Sequence, residues 1–381
     1  MRNLKLLKKV RLRGGLKKCN VLVFGRNSAD ILGKAVLQGI TYEVLSIRHE
    51  VFPINFSILF RMILNICRML SRRLNANVQR DLDKVLRYSY YLACMQYVSP
   101  LVVIAFIDNA GLFYDLAESF PRARFIVMQN GARSLRDIGA QTFDFSPAVT
   151  NLCFGQYEID LFEKHGYTTR NFVPIGALRG GYYKFHLAQT TKKAFQICLV
   201  SQFRQSVMYG NGYPSIRANH KCLNEYLSKF VMEHAISPMC IAGDQVETGE
   251  REYFDRYYDT AHFFDNPDRN ALSTYRLMDE SEAIISMDST AAFEAYGWGK
   301  KVLFCNLQGL EERSYPLPDM CYMDENNYEL FEKKLVNLLA MDDSEYRREN
   351  ESYFTYFMNY DPQNPPHKYI RDLVLDIIEE K

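Results

Sequence analysis

The chain has 381 residues, 48% hydrophobic and 24% charged, with 46 Lys plus Arg against 45 Asp plus Glu. That is an ordinary globular mixture, which excludes disordered, collagen-like and coiled-coil chains. A formal net charge of +1 also lacks the basic excess of a nucleic-acid binder.

In chain order, the first segment is a basic leader over 1–18, with eight bases (Arg2, Lys5, Lys8, Lys9, Arg11, Arg13, Lys17, Lys18) and no acid. It reads either as a contact for an anionic surface, most simply the inner face of the plasma membrane, or as a solvated terminus. It lacks the apolar core and cleavage site of a secretory signal. Strands are expected over 20–24 and 42–47, with a helix over 28–38 between them. A helix over 56–71 follows, studded with Arg61, Arg68, Arg72 and Arg73 nearby. It suits docking on anionic lipid or burial as a core helix with snorkelling arginines. The arginines also interrupt the nearest approach to the ~18 apolar residues of a membrane span. Next come a helix over 78–97, a strand over 101–107, a helix over 112–120, and strands over 125–128, 149–154 and 172–175, with a helix over 157–164. A turn-rich stretch, 177–193, marks a boundary. Beyond it, strands are expected over 195–200, 239–242, 262–264, 283–287 and 301–305. Helices are expected over 219–233, 271–278, 290–296, 328–339, 344–358 and 367–379.

Apolar strands alternating with helices predict an α/β protein with parallel sheets covered on both faces. The expected organisation is two Rossmann-like domains facing a cleft, a first over 19–180 and a second over 194–360. A C-terminal helical segment over 361–381 packs back on the first. The nine cysteines form no CxxC pair, the pattern of reduced, buried cysteine in a cytoplasmic protein. The seven histidines include no HExxH and no pair at helical spacing, so no metal site is expected.

Ligands of such sheets bind beyond the C-terminal ends of strands, so the residues there are the candidates. Asp288-Ser289-Thr290 ends a strand and opens a helix, which leaves backbone N–H groups for a phosphate; Glu294, a little over one turn on, could accept from a ribose diol. The alternative is a plain helix cap and a solvated glutamate. Ser201, Gln202 and Arg204 leave another strand, and Arg204 could neutralise a phosphate leaving group. Gly243 and Asp244 end a third, as a nucleotide contact or a turn. In the first half, Gln129-Asn130-Gly131 and then Arg133-Ser134 follow a strand, with Gly131 permitting positive φ and close approach. Asp108 is the best-placed carboxylate for a general base, or else a helix cap.

Ile107-Asp108-Asn109 with Phe113, Gln129-Asn130-Gly131-Ala132-Arg133-Ser134, and Ser286-Met287-Asp288-Ser289-Thr290 with Glu294-Ala295 and Gly299-Lys300-Lys301-Val302-Leu303-Phe304 together resemble the bacterial surface carbohydrate biosynthesis proteins, glycosyltransferases of lipopolysaccharide and capsule clusters. The resemblance spans roughly 21–306 as islands. It implies a GT-B-type fold, acceptor binding in the first half and a nucleotide sugar in the second. Ser289, Thr290 and their helix would hold the donor phosphate, Glu294 the ribose, and the Gln129-Asn130-Gly131 loop would face the acceptor and reaction centre. A more distant similarity is to transferases of CMP-activated Kdo or sialic-type sugars. Those carry an acid where this chain has Asn130, and a His-Pro pair that is missing here.

The resulting expectation is a metal-independent glycosyltransferase with no cofactor beyond its nucleotide-sugar substrate. It would act on a surface glycan or lipid-linked precursor, in the cytoplasm or at the membrane's inner face. If the reaction inverts, Asp108 is the expected base, with Asp137 behind it. The alternatives are a nucleotide-sugar 2-epimerase of GT-B-like fold and a non-catalytic subunit of a polysaccharide assembly.

Overall fold

The computed structural model describes residues 11–13, 15–46, 51–73, 82–140, 145–188, 192–243, 248–266 and 272–380. The first half runs β1 (Arg11–Arg13), β2 (Val21–Phe24), α1 (Arg26–Ala35), β3 (Tyr42–Leu45), β4 (Val51–Pro53), α2 (Phe56–Arg73), α3 (Leu82–Val98), β5 (Val102–Ala105), α4 (Gly111–Ser119), β6 (Arg124–Met128), α5 (Leu135–Ala140), β7 (Val149–Cys153), α6 (Gln156–Lys164) and β8 (Phe172–Pro174). The second half runs α7 (Leu178–Tyr182), β9 (Phe195–Val200), α8 (Gln205–Met208), α9 (Pro214–Glu233), β10 (Met239–Ala242), α10 (Glu250–Phe254), β11 (His262–Phe264), α11 (Ser273–Asp279), β12 (Ser281–Ser286), α12 (Thr290–Gly297), β13 (Lys301–Cys305), β14 (Tyr322–Met323), α13 (Tyr328–Ala340), α14 (Asp343–Phe357) and α15 (Pro366–Glu379).

Two six-stranded sheets result, ordered β3-β2-β5-β6-β7-β8 and β11-β10-β9-β12-β13-β14. Every pairing in both is parallel. The α/β reading of the sequence holds. Strands such as Val21–Phe24 and Val102–Ala105 are buried at every position, because helices cover both faces of a parallel sheet and leave no polar side. One apolar core runs from the first sheet through the second. A separate cluster fills the other face of the first sheet, where Tyr90 and Tyr91 of α3 meet Phe24 of β2 and Phe113 of α4. Seven of the nine cysteines are buried, and none is bridged.

The stretch over 177–193 differs from expectation. It is helical over Leu178–Tyr182 and continues as a wider helical turn over Tyr183–Leu187. Gly180 and Gly181 read locally as turn punctuation, yet their role is close packing. A Cβ on Gly180 would strike the Glu294 carboxylate, and one on Gly181 would lie 2.7 Å from Pro366.

The C-terminal helices return to the first half. The Tyr356 hydroxyl donates to Asp160 at 3.0 Å, and Asn359 donates its amide to Phe154 O at 2.8 Å and its side chain to Pro174 O at 2.7 Å. Arg371 of α15 donates to Val36 O and Gln38 O, both at 2.8 Å. Chain order reverses between β9 and β12 at the centre of the second sheet. Neighbouring connections there leave on opposite faces and open a crevice at the strands' C-terminal ends.

Candidate functional site

A cavity of about 540 Å³ occupies that crevice and is closed on its other side by the first half. β9 delivers Ser201, Gln202 and Arg204 to it; β12 delivers Met287, Asp288 and Ser289. Gln202 stitches the two exits together. Its Oε1 accepts from the Met287 and Asp288 amides at 3.2 and 3.0 Å and from the Ser286 hydroxyl at 3.2 Å, and its Nε2 donates to Asp288 at 2.6 Å. Asp288 is clamped on its other oxygen by Arg313. Ser201 donates to the buried Glu250 and accepts the Phe203 amide at 3.1 Å. Gly243 also lines the cavity, and Asp244 lies outside the described residues.

α12 points its N-terminus into this space. Ser289 is the N-cap residue, but its side chain makes no cap bond. Its amide is taken by Ser286 Oγ at 3.1 Å. The next two amides, of Thr290 and Ala291, meet no acceptor among the described residues, the condition in which a helix start attracts an anion. Thr290 also reaches across the crevice, where its Oγ1 accepts the Ala132 amide at 3.0 Å. The loop after β6 and the start of α12, 158 residues apart, thus meet directly. Gly131 is part of that approach. A Cβ there would lie 3.4 Å from Thr290 Oγ1, an ordinary contact, and its φ is not positive, so the turn geometry expected of it is not what this position uses.

Glu294, one turn into α12, lines the cavity while accepting the Gly180 amide at 2.6 Å. Burial pushes its carboxyl up to about 7, against the pull of Tyr275, Arg179 and that amide. His220 of α9 shares the wall. Burial, only partly offset by Asp288, holds it down to about 4, so the ring is neutral at physiological pH.

The first-half candidates divide. Asn130 lines the cavity. Asp108 and Asp137, expected as bases, do not. Asp108 is 7% exposed and ion-paired with Arg133, which also donates to Asn130 Oδ1 at 3.2 Å. Asp137 accepts the Ser134 amide at 3.0 Å and the Ser134 hydroxyl at 3.2 Å, fixing the start of α5. Gln129 is turned inward, donating to Gly131 O at 2.8 Å and to Glu158 at 2.9 Å and accepting the Phe154 amide at 3.1 Å. Glu158 is itself buried, and desolvation pushes it up to about 7. Both carboxylates expected to remove a proton therefore already serve as partners of neighbouring groups.

Four cavity residues carry no signal in the sequence pattern: Arg136, Arg179, His220 and Arg313. With Arg204 they set four guanidinium groups against two carboxylates, Asp288 and Glu294. This excess, beside unpartnered helix amides, is built for an anion carrying more than one charge. Among the described residues no three His, Cys, Asp or Glu side chains gather as a metal site needs.

Residues 126–373 match the model of a family described as "putative O-antigen biosynthesis protein". No curated protein matches the chain. Solved structures share its fold. The UDP-GlcNAc 2-epimerase of Neisseria meningitidis, bound to UDP-GlcNAc, aligns with 12% identity over 95% of this chain and 99% of its own, TM-score 0.52. A glycosyltransferase from Rickettsia africae aligns with 13% identity over 96% and 100%, TM-score 0.52. The wall teichoic acid polymerase TagF aligns with 12% identity over 96% and 90%, TM-score 0.51. The two sheets and their facing crevice are the GT-B-like arrangement of these proteins.

Proposed function

The chain belongs to this O-antigen biosynthesis protein family, and from that membership we propose that it is a glycosyltransferase. It moves a sugar from a nucleotide donor to a surface polysaccharide or its lipid-linked precursor, without a metal ion. The observation that carries the reading is the cationic crevice at the β9–β12 switch point. There the free amides of Thr290 and Ala291 face a space walled by Arg136, Arg179, Arg204 and Arg313.

In such a transfer the barrier arises as negative charge gathers on the departing phosphate. Fixed guanidinium groups and a helix start stabilise that charge without reorganising. Glu294, which the Gly180 amide and Tyr275 hold in place, turns its carboxyl toward the space for the ribose diol. Asn130 reaches the reaction side from the first half, and it orients an acceptor but removes no proton. With Asp108 and Asp137 turned elsewhere, the reading favours retention of configuration, the departing phosphate taking the acceptor proton as the new glycosidic bond forms.

Calorimetry with UDP, GDP, CMP and dTDP tests the donor site. One nucleotide is expected to bind clearly above the others, and uniformly negligible heats overturn the reading. Product stereochemistry, read by NMR, tests retention.

A second reading has its own support. Glu294, pushed up to about 7, lines the cavity, and a nucleotide-sugar 2-epimerase needs a group that exchanges a proton near neutrality. Incubation of the bound nucleotide sugar without acceptor separates the two. An epimerised sugar favours this reading, and an unchanged one the transferase.

A further inference from the structure

α2 exposes an apolar stripe. Phe56 is 86% exposed and Phe60 55%, with Leu59, Ile63 and Leu64 also exposed, and Ile54 just before the helix. The spacing places these residues on one side of an 18-residue helix about 27 Å long. The opposite side is the buried one. Ile58 is fully buried there, and Asn65 donates to Ser89 O at 3.4 Å and Gln96 Oε1 at 3.2 Å on α3. Among the described residues nothing covers the stripe. An apolar surface of this size on a soluble protein marks a place of attachment.

Its charge identifies what attaches. α2 contains Arg61, Arg68, Arg72 and Arg73 and no acid. β1 pairs with β4 in parallel, Arg11 opposite Val51 and Arg13 opposite Pro53, so the basic segment over 11–18 enters beside the residues that lead into α2. A Cβ on Gly15 would lie 2.7 Å from Asn55 Nδ2, and Lys17 and Lys18 beyond it are exposed. The basic segment thus runs beside Asn55, immediately before the first residue of the apolar stripe on α2.

We propose that α2 and the adjoining basic segment seat the first half of the protein on a membrane surface rich in anionic lipid. Phe56, Leu59, Phe60, Ile63 and Leu64 enter the acyl boundary while the arginines and lysines meet the headgroups. A helix lying in the interface needs this combination. A second copy of the chain fits less well. A two-fold contact through the stripe would set the arginines of one α2 against those of the other with no acid between them. No described helix is long and apolar enough to cross a bilayer, so the attachment is to one surface. The inference does not depend on which chemistry the crevice performs.

The test is co-sedimentation of the full chain with vesicles of phosphatidylcholine alone and of phosphatidylcholine mixed with phosphatidylglycerol. Binding to the mixed vesicles, much weaker to the neutral ones, is expected. Phe56→Ser with Phe60→Ser should lower it at least tenfold, and Arg61→Gln or Arg68→Gln by about fivefold each, at roughly one headgroup attraction per cation. Because Phe56 and Phe60 are exposed, thermal unfolding and nucleotide binding of the double variant should stay as in the unaltered protein. Three results overturn the proposal: no binding to either vesicle, binding unchanged by the double substitution, or a dimer in light scattering that the double substitution abolishes.

Discussion

The two sheets end their strands in the same chemistry and use it differently. At the exits of β5, β6 and β7, the polar side chains answer one another. Arg133 meets Asp108, Gln129 meets Glu158, and Asp137 meets Ser134. At the exits of β9 and β12, Gln202, Asp288 and Ser201 are tied down as well, but the amides of Thr290 and Ala291 meet no acceptor among the described residues and open on the crevice that Arg204 also lines. The first sheet therefore presents a wall of paired groups, and the second the crevice that we propose for the phosphate. Local sequence does not distinguish the two, because both show small and polar residues after an apolar run.

The largest way to break the comparison is at the Asp108–Arg133 pair. Asp108→Ala would leave a guanidinium 5% exposed without its counter-ion. Removing one partner of a buried pair costs about 3–5 kcal/mol. Denaturant unfolding should register that loss, and an unchanged midpoint would show that the wall does not depend on the pair.

Next in size is pH. Glu158 is held near 7 in the folded protein, against a carboxyl near 4.3 in an unfolded chain. The folded state holds the proton more tightly, so this group's contribution is fully present below the unfolded value. It is lost as pH rises through about 7. The span corresponds to on the order of 3 kcal/mol. Unfolding measured from pH 4 to 8 should show the unaltered protein losing stability relative to Glu158→Gln over that window. Parallel curves would mean that Glu158 is already ionised when folded.

Smaller again is Arg204→Ala on the open side. Losing one charge-assisted contact to a bound phosphate should weaken nucleotide binding about tenfold and lower thermal stability far less than Asp108→Ala does. Calorimetry and thermal unfolding on the two variants together check the contrast.

How much of this was legible beforehand follows the same division. The strands were readable because burial on both faces leaves most of their positions apolar. The two-residue β14 and the short β1–β4 pair were not, β14 because two residues make no run and β1 because it lies among the bases of the leader. The switch-point residues Ser201, Gln202, Asp288, Ser289 and Thr290 could be found by looking where apolar runs stop. Arg136, Arg179, His220 and Arg313 could not. They arrive from α5, α7, α9 and a short turn after β13, and only the tertiary fold brings them to one wall. Asp108 and Asp137 failed in the opposite sense. A carboxylate at a strand end looks available in sequence, and nothing local shows that Arg133 or Ser134 already holds it.

The smallest effect is expected where wall and anion site meet. Thr290→Val keeps the volume of the side chain and removes the acceptor for the Ala132 amide, a bond worth about 1 kcal/mol. If the backbone amides of α12 hold the phosphate, as the open crevice implies, nucleotide affinity should change less than about twofold. The unfolding midpoint should fall by the amount of one hydrogen bond. If the hydroxyl itself contacts the nucleotide, the ordering reverses and affinity falls more than stability. Gly131→Ala sharpens the same point from the other side. Its new methyl would lie 3.4 Å from Thr290 Oγ1, in contact with the residue that joins the two sides. An effect on affinity without one on stability would then locate the sensitivity in how the crevice closes and not in how the two halves are held together.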